Sequence, residues 1–303
     1  MRSKGCKGAS TIHSLIYAAE EDEHGIIRYS LNSNSALEDA SLAIIDECSM
    51  VDEKLGRDLL SFGKPVLVIG DPAQLPPVSG TGFFTSSEPN FLLTEVHRQA
   101  RDNPIIRLSM DVREGRTLSK GTYGCSQILS RSALTRNEVL AADQVIVGRN
   151  ATRQVINSKI RTYRYGDVRP NVPVTGEKLI CLKNKHTMGL LNGGMWNVGS
   201  IDRVANGLVQ MVVDPLDDAG NGKCQAVNTP TLFFEGREQE LSSEERRYVE
   251  EFTFGHAITC HKSQGSQWDH VVIFDESYIF RADAQRWRYT AITRAAKRMT
   301  LVM

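Results

Sequence analysis

Hydrophobic positions along the chain form short, unbroken apolar runs that end in polar residues, interleaved with segments of helical length. Leu42-Ala43-Ile44-Ile45 runs into Asp46-Glu47-Cys48-Ser49, and Pro65-Val66-Leu67-Val68-Ile69 runs into Gly70-Asp71-Pro72-Ala73-Gln74-Leu75-Pro76-Pro77. Uninterrupted runs of this length suit strands buried on both faces of a parallel sheet. Between them, residues 50–62 have the length of a helix and are closed by Gly63. The stretch therefore reads as a βαβ unit whose polar residues lie at the carboxyl ends of its strands, the edge at which open α/β sheets bind ligands.

The same patterning organises the rest. Residues 9–17 predict a capped helix with Ile12, Leu15 and Ile16 on one face, and 24–29 a small hairpin after an acidic cluster at 20–23. Residues 91–99 read as another strand with a polar end, and 104–114 as a helix that starts at Pro104 and stops at Gly115. Residues 116–133 are rich in Gly, Ser and Thr without periodicity, which marks a domain boundary. A second α/β domain opens with a strand at 144–148 and a helix at 150–161. From 176 to about 250, apolar segments at 178–182, 198–204 and 208–213 alternate with Asn-Gly-Gly, Asn-Gly and Asp-Asp-Ala-Gly-Asn-Gly turns, the pattern of a small β-barrel. Strands at 254–259, 271–274 and 299–302 and a helix at 283–294 return the chain to α/β structure.

Composition narrows the class. At 303 residues, 41% hydrophobic and 24% charged, the chain has the make-up of a globular protein with more than one core. No run of about 18 uncharged apolar residues offers a membrane span, and the basic leader lacks the apolar stretch of a signal peptide, so a cytoplasmic protein is expected. The six cysteines are scattered, with no Cys-x-x-Cys pair and no nearby histidine at ligand spacing, so neither a disulfide framework nor a zinc site is suggested. Lys+Arg and Asp+Glu both total 36, so any nucleic-acid contact rests on a local basic groove rather than bulk charge.

The polar run endings carry the chemistry. After Asp46-Glu47 come, in order, Gly70-Asp71-Pro72-Ala73-Gln74-Leu75-Pro76-Pro77, then Leu93-Thr94-Glu95-Val96-His97-Arg98-Gln99, then Thr259-Cys260-His261-Lys262-Ser263-Gln264-Gly265-Ser266, then Tyr289-Thr290-Ala291-Ile292-Thr293-Arg294-Ala295. With these motifs the chain resembles a superfamily 1 (1B) DNA helicase of the RecD/Dda type along nearly all its length. The resemblance implies an α/β fold of two RecA-like P-loop NTPase domains, the first truncated, with a small β-barrel inserted in the second. Its boundaries would be 1–120 for the first domain, with a duplex-splitting pin hairpin near 20–40; 121–175 and 251–303 for the second; and 176–250 for a Src-homology-like barrel. It implies an ATP-dependent 5′-to-3′ helicase that uses ATP and Mg²⁺, acts on single-stranded DNA and duplex junctions, and has no membrane partner.

ATP cleavage needs a metal to neutralise phosphate charge, a carboxylate to orient water, and cations aimed at the developing charge. By resemblance Asp46 holds Mg²⁺ through water, Glu47 polarises the attacking water and Gln74 senses the γ-phosphate. Arg98 and Arg294 reach that phosphate, Arg294 as a finger from the second domain, and Gly265 joins the nucleotide-binding set. For DNA the resemblance implies Ser10, Thr11, His13, Asn150, Thr259, His261 and Lys262. The plain alternative for Ser10 and Thr11 is a helix terminus bonding its own backbone; Trp196 reads equally as core or contact, and Trp268 as packing.

One family element is not found. No Gly-x-x-x-x-Gly-Lys-Ser/Thr occurs in the 303 residues: the stretch from Gly5 to Thr11 lacks the Gly-Lys-Ser/Thr ending, and Gly63-Lys64 is followed by Pro65. The expectation is an incomplete helicase lacking its first βα unit and main nucleotide grip; a truncated gene, a late start codon or a split protein completed by another chain would each give this sequence. The alternative is a catalytically inactive DNA-binding remnant or partner subunit of a helicase.

Overall fold

The computed structural model describes residues 6, 8–21, 27–78, 80–93, 103–216 and 222–303. The chain divides into two compact units, 1–97 and 98–303.

In the first unit, α1 (Ile12–Ile16) begins at Thr11, whose Oγ1 accepts the Ser14 amide at 3.2 Å. It leads straight into β1 (Tyr17–Glu21), which pairs antiparallel with β2 (Ile27–Leu31). The hairpin thus starts earlier than the hydrophobic pattern places it, and its connection, residues 22–26, lies outside the described residues. β3 (Ala43–Ile45) and β4 (Val66–Val68) pair in parallel across α2 (Glu53–Leu60), the expected βαβ unit. Asp52 caps α2 through the Leu55 amide at 2.9 Å, and Gly63, at φ 66°, turns the chain out of it.

Burial on both faces is not observed. Ala43 and Ile45 pack with Ile16, Leu55 and Leu59, but Ile44 is 56% and Leu67 48% exposed. Strand residues alternate between faces, and among the described residues of this unit the helices cover one face of a two-stranded sheet. Of the strand expected at 91–99, residues 91–93 are not strand, with Phe91 92% exposed, and the remainder lies outside the described residues.

The second unit runs through α3 (Pro104–Arg113), β5 (Gly121–Tyr123), β6 (Ser126–Leu129), α4 (Arg136–Leu140), β7 (Gln144–Val147) and α5 (Asn150–Tyr165). It continues with β8 (Lys178–Cys181), β9 (Met195–Ala205), β10 (Leu208–Pro215), β11 (Gln225–Pro230), α6 (Thr231–Glu235) and β12 (Phe252–Phe254). β13 (Ala257–Thr259), β14 (Trp268–Phe274), α7 (Ala284–Ile292) and β15 (Ala295–Val302) close it. α3 belongs here: Gln285 Nε2 of α7 donates to the carbonyls of Val112 and Arg113 at 2.7 and 2.8 Å. The compact first unit accordingly ends at 97, short of the expected 120.

The main sheet has the order β13-β7-β14-β15-β6-β5, parallel except for β5. The aperiodic stretch at 116–133, read as a domain boundary, therefore lies inside the second unit. It supplies two strands, and Ile128 is buried at 1% exposure because β6 is clamped beside β15 by the Thr300–Gln127 register.

Strands β11-β10-β9-β8-β12 form a separate antiparallel sheet around Trp196, Val209, Met211 and Phe252. Its tightest hairpin turns on Asn206-Gly207, both at positive φ (51° and 72°), as a two-residue turn between twisted strands requires. Strand pairing leaves this sheet open among the described residues; its edges approach where the Glu250 amide donates to the Asn228 carbonyl at 2.9 Å. The expected strand at 254–259 is in fact two, in different sheets. They part at Gly255, where a Cβ would lie 2.8 Å from the Leu179 backbone. At the root of this sheet, buried Arg161 of α5 meets Glu177 at 2.6 Å and donates to the carbonyls of Arg169, Pro170 and Val172.

Candidate functional site

The polar residues of the first unit gather at the carboxyl ends of β3 and β4. The two tips are stitched by backbone bonds, Ile69 amide to Ile45 carbonyl at 2.7 Å and Cys48 amide to Ile69 carbonyl at 3.2 Å. A Cβ on Gly70 would sit 2.5 Å from Cys48 Sγ, so only glycine permits this approach. Asp46 is exposed and its Oδ1 accepts the Glu47 amide at 3.0 Å. Glu47 stands in the left-handed region at φ 56°, ψ 46°, an uncommon conformation for a residue with a side chain. Gln74 follows a turn in which its amide donates to the Asp71 carbonyl at 3.1 Å.

Two polar atoms here are buried without a hydrogen-bond partner, Ser49 Oγ and Gln74 Oε1. Burial raises the Cys48 thiol's pKa, and the charges of Glu47, Asp46 and Asp71 raise it further, which marks a concentrated negative field at the tips. This set of oxygens fits a hydrated divalent cation: exposed carboxylate oxygens suit Mg²⁺, which keeps several waters, and the orphaned Ser49 and Gln74 oxygens can accept from those waters. Among the described residues no group of three or more His, Cys, Asp or Glu side chains could hold a metal alone. Arg98 lies outside the described residues.

Ser10, Thr11 and His13 are exposed around the start of α1. Thr11 spends its hydroxyl within its own turn, bonding Ser14 Oγ at 3.0 Å, and the His13 ring lies 5.6 Å from Tyr17.

In the second unit, adjacent parallel strands bring the other expected residues to one edge. Thr259 ends β13, with His261 and Lys262 just beyond it, and exposed Asn150 opens α5 after β7. Lys262 donates to Asn192 Oδ1 of the antiparallel sheet's Asn-Gly-Gly turn at 2.6 Å, and burial pulls its pKa down. Burial likewise lowers His261, whose ring lies 5.7 Å from Phe280. Gly265 takes φ 76° in the turn that follows. Arg294 is buried, with its guanidinium donating to the carbonyls of Thr290 and Ser266 at 3.1 and 3.2 Å. Trp196 is fully buried against Phe252, which settles it as core, and Trp268 packs beside Ile180, Met195 and Ile258.

Residues 254–302 match the UvrD-like helicase C-terminal domain and residues 3–127 an AAA domain. These matches make the chain similar to superfamily 1 helicases of the RecD/Pif1 type. It is 29% identical to the ATP-dependent RecD2 DNA helicase of Deinococcus radiodurans over 96% of its own length, and spans 39% of that relative. Its fold is similar to the Pif1 helicase of Candida albicans, with TM-score 0.54, 18% identity and coverage of 88% of this chain and 72% of that one. It is similar also to Bacteroides Pif1 bound to single-stranded DNA, with TM-score 0.52, 17% identity and coverage of 97% and 79%. The fold is of the RecA-like α/β class.

Sequence reasoning missed one cluster of the second unit. Glu276, just past β14, accepts from the Gly148 amide (2.8 Å), the Arg149 amide (3.0 Å), Arg149 Nε (2.9 Å) and Thr152 Oγ1 (2.6 Å), so it fills the amino end of α5. The signal was present as a second apolar run ending in Asp-Glu, Phe274-Asp275-Glu276.

Proposed function

We propose that these residues belong to an ATP-dependent DNA helicase that translocates 5′-to-3′ on single-stranded DNA. The observation that carries the reading is the pair of stitched strand tips, where Asp46 and Glu47 stand exposed or half-buried beside a Gln74 oxygen that has no partner. When bound, Mg²⁺·ATP supplies a metal-neutralised phosphoanhydride whose cleavage releases free energy for stepping. Asp46 would hold the hydrated cation and Glu47 would take a proton from the attacking water, while Gln74 would donate its side-chain amide N–H to the γ-phosphate, its unpartnered Oε1 accepting from a bound water. Arg98 and Arg294 serve the developing charge, Arg294 after releasing the carbonyls of Thr290 and Ser266. Ser10, Thr11, His13, Asn150, Thr259, His261 and Lys262 contact the strand's backbone, and the β1–β2 hairpin acts at the duplex junction. The six free cysteines suit a reducing, cytoplasmic setting.

A second reading is a catalytically inactive DNA-binding remnant or partner subunit, which would use the Thr259, His261 and Lys262 edge without hydrolysing ATP. One titration separates the two: the chain with a fluorescent ATP analogue and Mg²⁺, and with labelled single-stranded DNA. The helicase reading expects both to bind and each to alter the other's affinity. DNA binding with no nucleotide binding selects the remnant, and no DNA binding overturns both.

A further inference from the structure

The carboxyl edge of the main sheet carries an exposed aromatic that the site above does not use. Tyr278 is 66% exposed, yet the turn that presents it is pinned on both sides. Before it, Glu276 is held by the Gly148 and Arg149 amides and by Thr152, and the Ser277 amide donates to Asp275 at 3.0 Å while Arg288 grips both Asp275 (2.8 Å) and Ser277 Oγ (3.0 Å). After it, Phe280 stacks on Trp287 at 5.8 Å and lies 5.7 Å from the His261 ring. Gly148 has no room for a Cβ, which would meet Glu276 Cβ at 2.8 Å and Phe280 at 3.2 Å. A turn this tightly held could have packed its tyrosine inward; it presents the ring to solvent instead.

Position gives the ring a purpose. β13, β7 and β14 are neighbours in the sheet, so their carboxyl ends succeed one another at about 4.8 Å spacing. Thr259, His261 and Lys262 follow the first, Arg149 and Asn150 the second, and Tyr278 the third. Arg149 is fixed to Glu276 at 2.9 Å, with 53% of its side chain still exposed, and lies near Tyr278. The row thus runs from backbone-binding polar groups to a fixed cation and an aromatic face, the combination that receives single-stranded nucleic acid.

We propose that Tyr278 is a base-stacking platform for single-stranded DNA lying along this edge, with Arg149 beside it on a phosphate. The proposal rests on the DNA-binding reading. It predicts that the platform tolerates any base, because every base offers a π-face, and that it contributes little to the salt dependence of binding, which phosphate contacts set.

The test is fluorescence anisotropy of the 303-residue chain with labelled oligothymidylate and with an oligonucleotide of the same length made abasic throughout. Tyr278→Ala weakens oligothymidylate binding about 5- to 100-fold, Tyr278→Phe keeps it, and the salt slope stays that of the wild type. Wild type prefers bases over abasic sites, and Tyr278→Ala loses most of that preference. The ring is exposed, so unchanged melting temperatures exclude misfolding as the cause. Wild-type affinity in Tyr278→Ala alongside weakened binding in Lys262→Ala overturns the platform and leaves the DNA reading standing. A wild-type chain that binds no single-stranded DNA overturns both.

Discussion

Asp46-Glu47 and Asp275-Glu276 are the same dipeptide in the same place, just past the carboxyl end of a parallel strand, one in each unit. Their surroundings are opposite. Around the first, Ser49 Oγ and Gln74 Oε1 are buried without partners and Glu47 is in a left-handed conformation. Around the second, Asp275 accepts from Arg288 and the Ser277 amide, and Glu276 accepts from Gly148, Arg149 and Thr152. A strand-tip carboxylate is therefore not a catalytic sign in itself. Where the fold saturates its acceptors it is an anchor, and where polar atoms beside it stay unsatisfied it is available to a ligand.

The largest effect separates the two pairs by chemistry. In the protein carrying these residues, Glu47→Gln is expected to cut DNA-stimulated ATP hydrolysis about 10²- to 10⁴-fold, the usual range for removing a positioned general base, with melting temperature unchanged. Steady-state phosphate release measures it. Hydrolysis within tenfold of wild type would end the role of Glu47 and with it the contrast.

Stability should show the reverse. Glu276→Ala strips the part-buried Gly148 and Arg149 amides of their acceptor, and donors left unsatisfied away from water cost about 1–3 kcal/mol. For a unit of this size the thermal midpoint should fall by about 2–12 °C, while Asp46→Ala, at an exposed position, should move that of the first unit by less than about 4 °C. Circular dichroism melts decide between them, and equal shifts would erase the difference.

Acid titration gives a smaller version of the same contrast. Burial alone would raise the Glu276 carboxyl, but hydrogen bonds from Thr152 and from the Arg149 and Gly148 amides overcome it and hold its pKa below the ordinary 4.5. A carboxylate with a lowered folded value adds stability above its unfolded pKa and loses it as pH falls through the folded one. Between about pH 5 and pH 3 the second unit of the wild type should therefore lose more midpoint than Glu276→Gln. Parallel curves for the two proteins would show that the amide cradle does not hold a charge.

Much of this was legible in the residues. The βαβ unit at 42–78, the Asn-Gly hairpin and the helix after β7 follow from local patterns, which their structures obey. What was hidden depended on distant partners. β5 and β6 read as a boundary because the strand character of β6 comes from β15, more than 160 residues away, and that of β5 from β6, rather than from their own Gly- and Ser-rich sequence. The split between β12 and β13 depends on Gly255 passing close to Leu179. At the sites, the motif residues announced themselves by order along the chain. Tyr278 and Glu276 did not, since their meaning lies in which strands neighbour β14.

The finest distinction concerns the backbone under each glutamate. Glu47 sits at φ 56° and Glu276 at φ −116°. Glycine reaches positive φ without the steric cost that a Cβ imposes, about 1–2 kcal/mol, but loses about 0.5–1 kcal/mol in added unfolded-state entropy. Glu47→Gly should therefore stabilise the first unit by a net ~0.5 kcal/mol while hydrolysis is lost. Glu276→Gly suffers the entropy term and the lost acceptor together and should destabilise the second. Chemical denaturation reads both in one pair of curves. Opposite signs would mean that strain is kept at Glu47 for its role and that none is needed at Glu276, whereas a shared sign would mean the left-handed turn is incidental to the site.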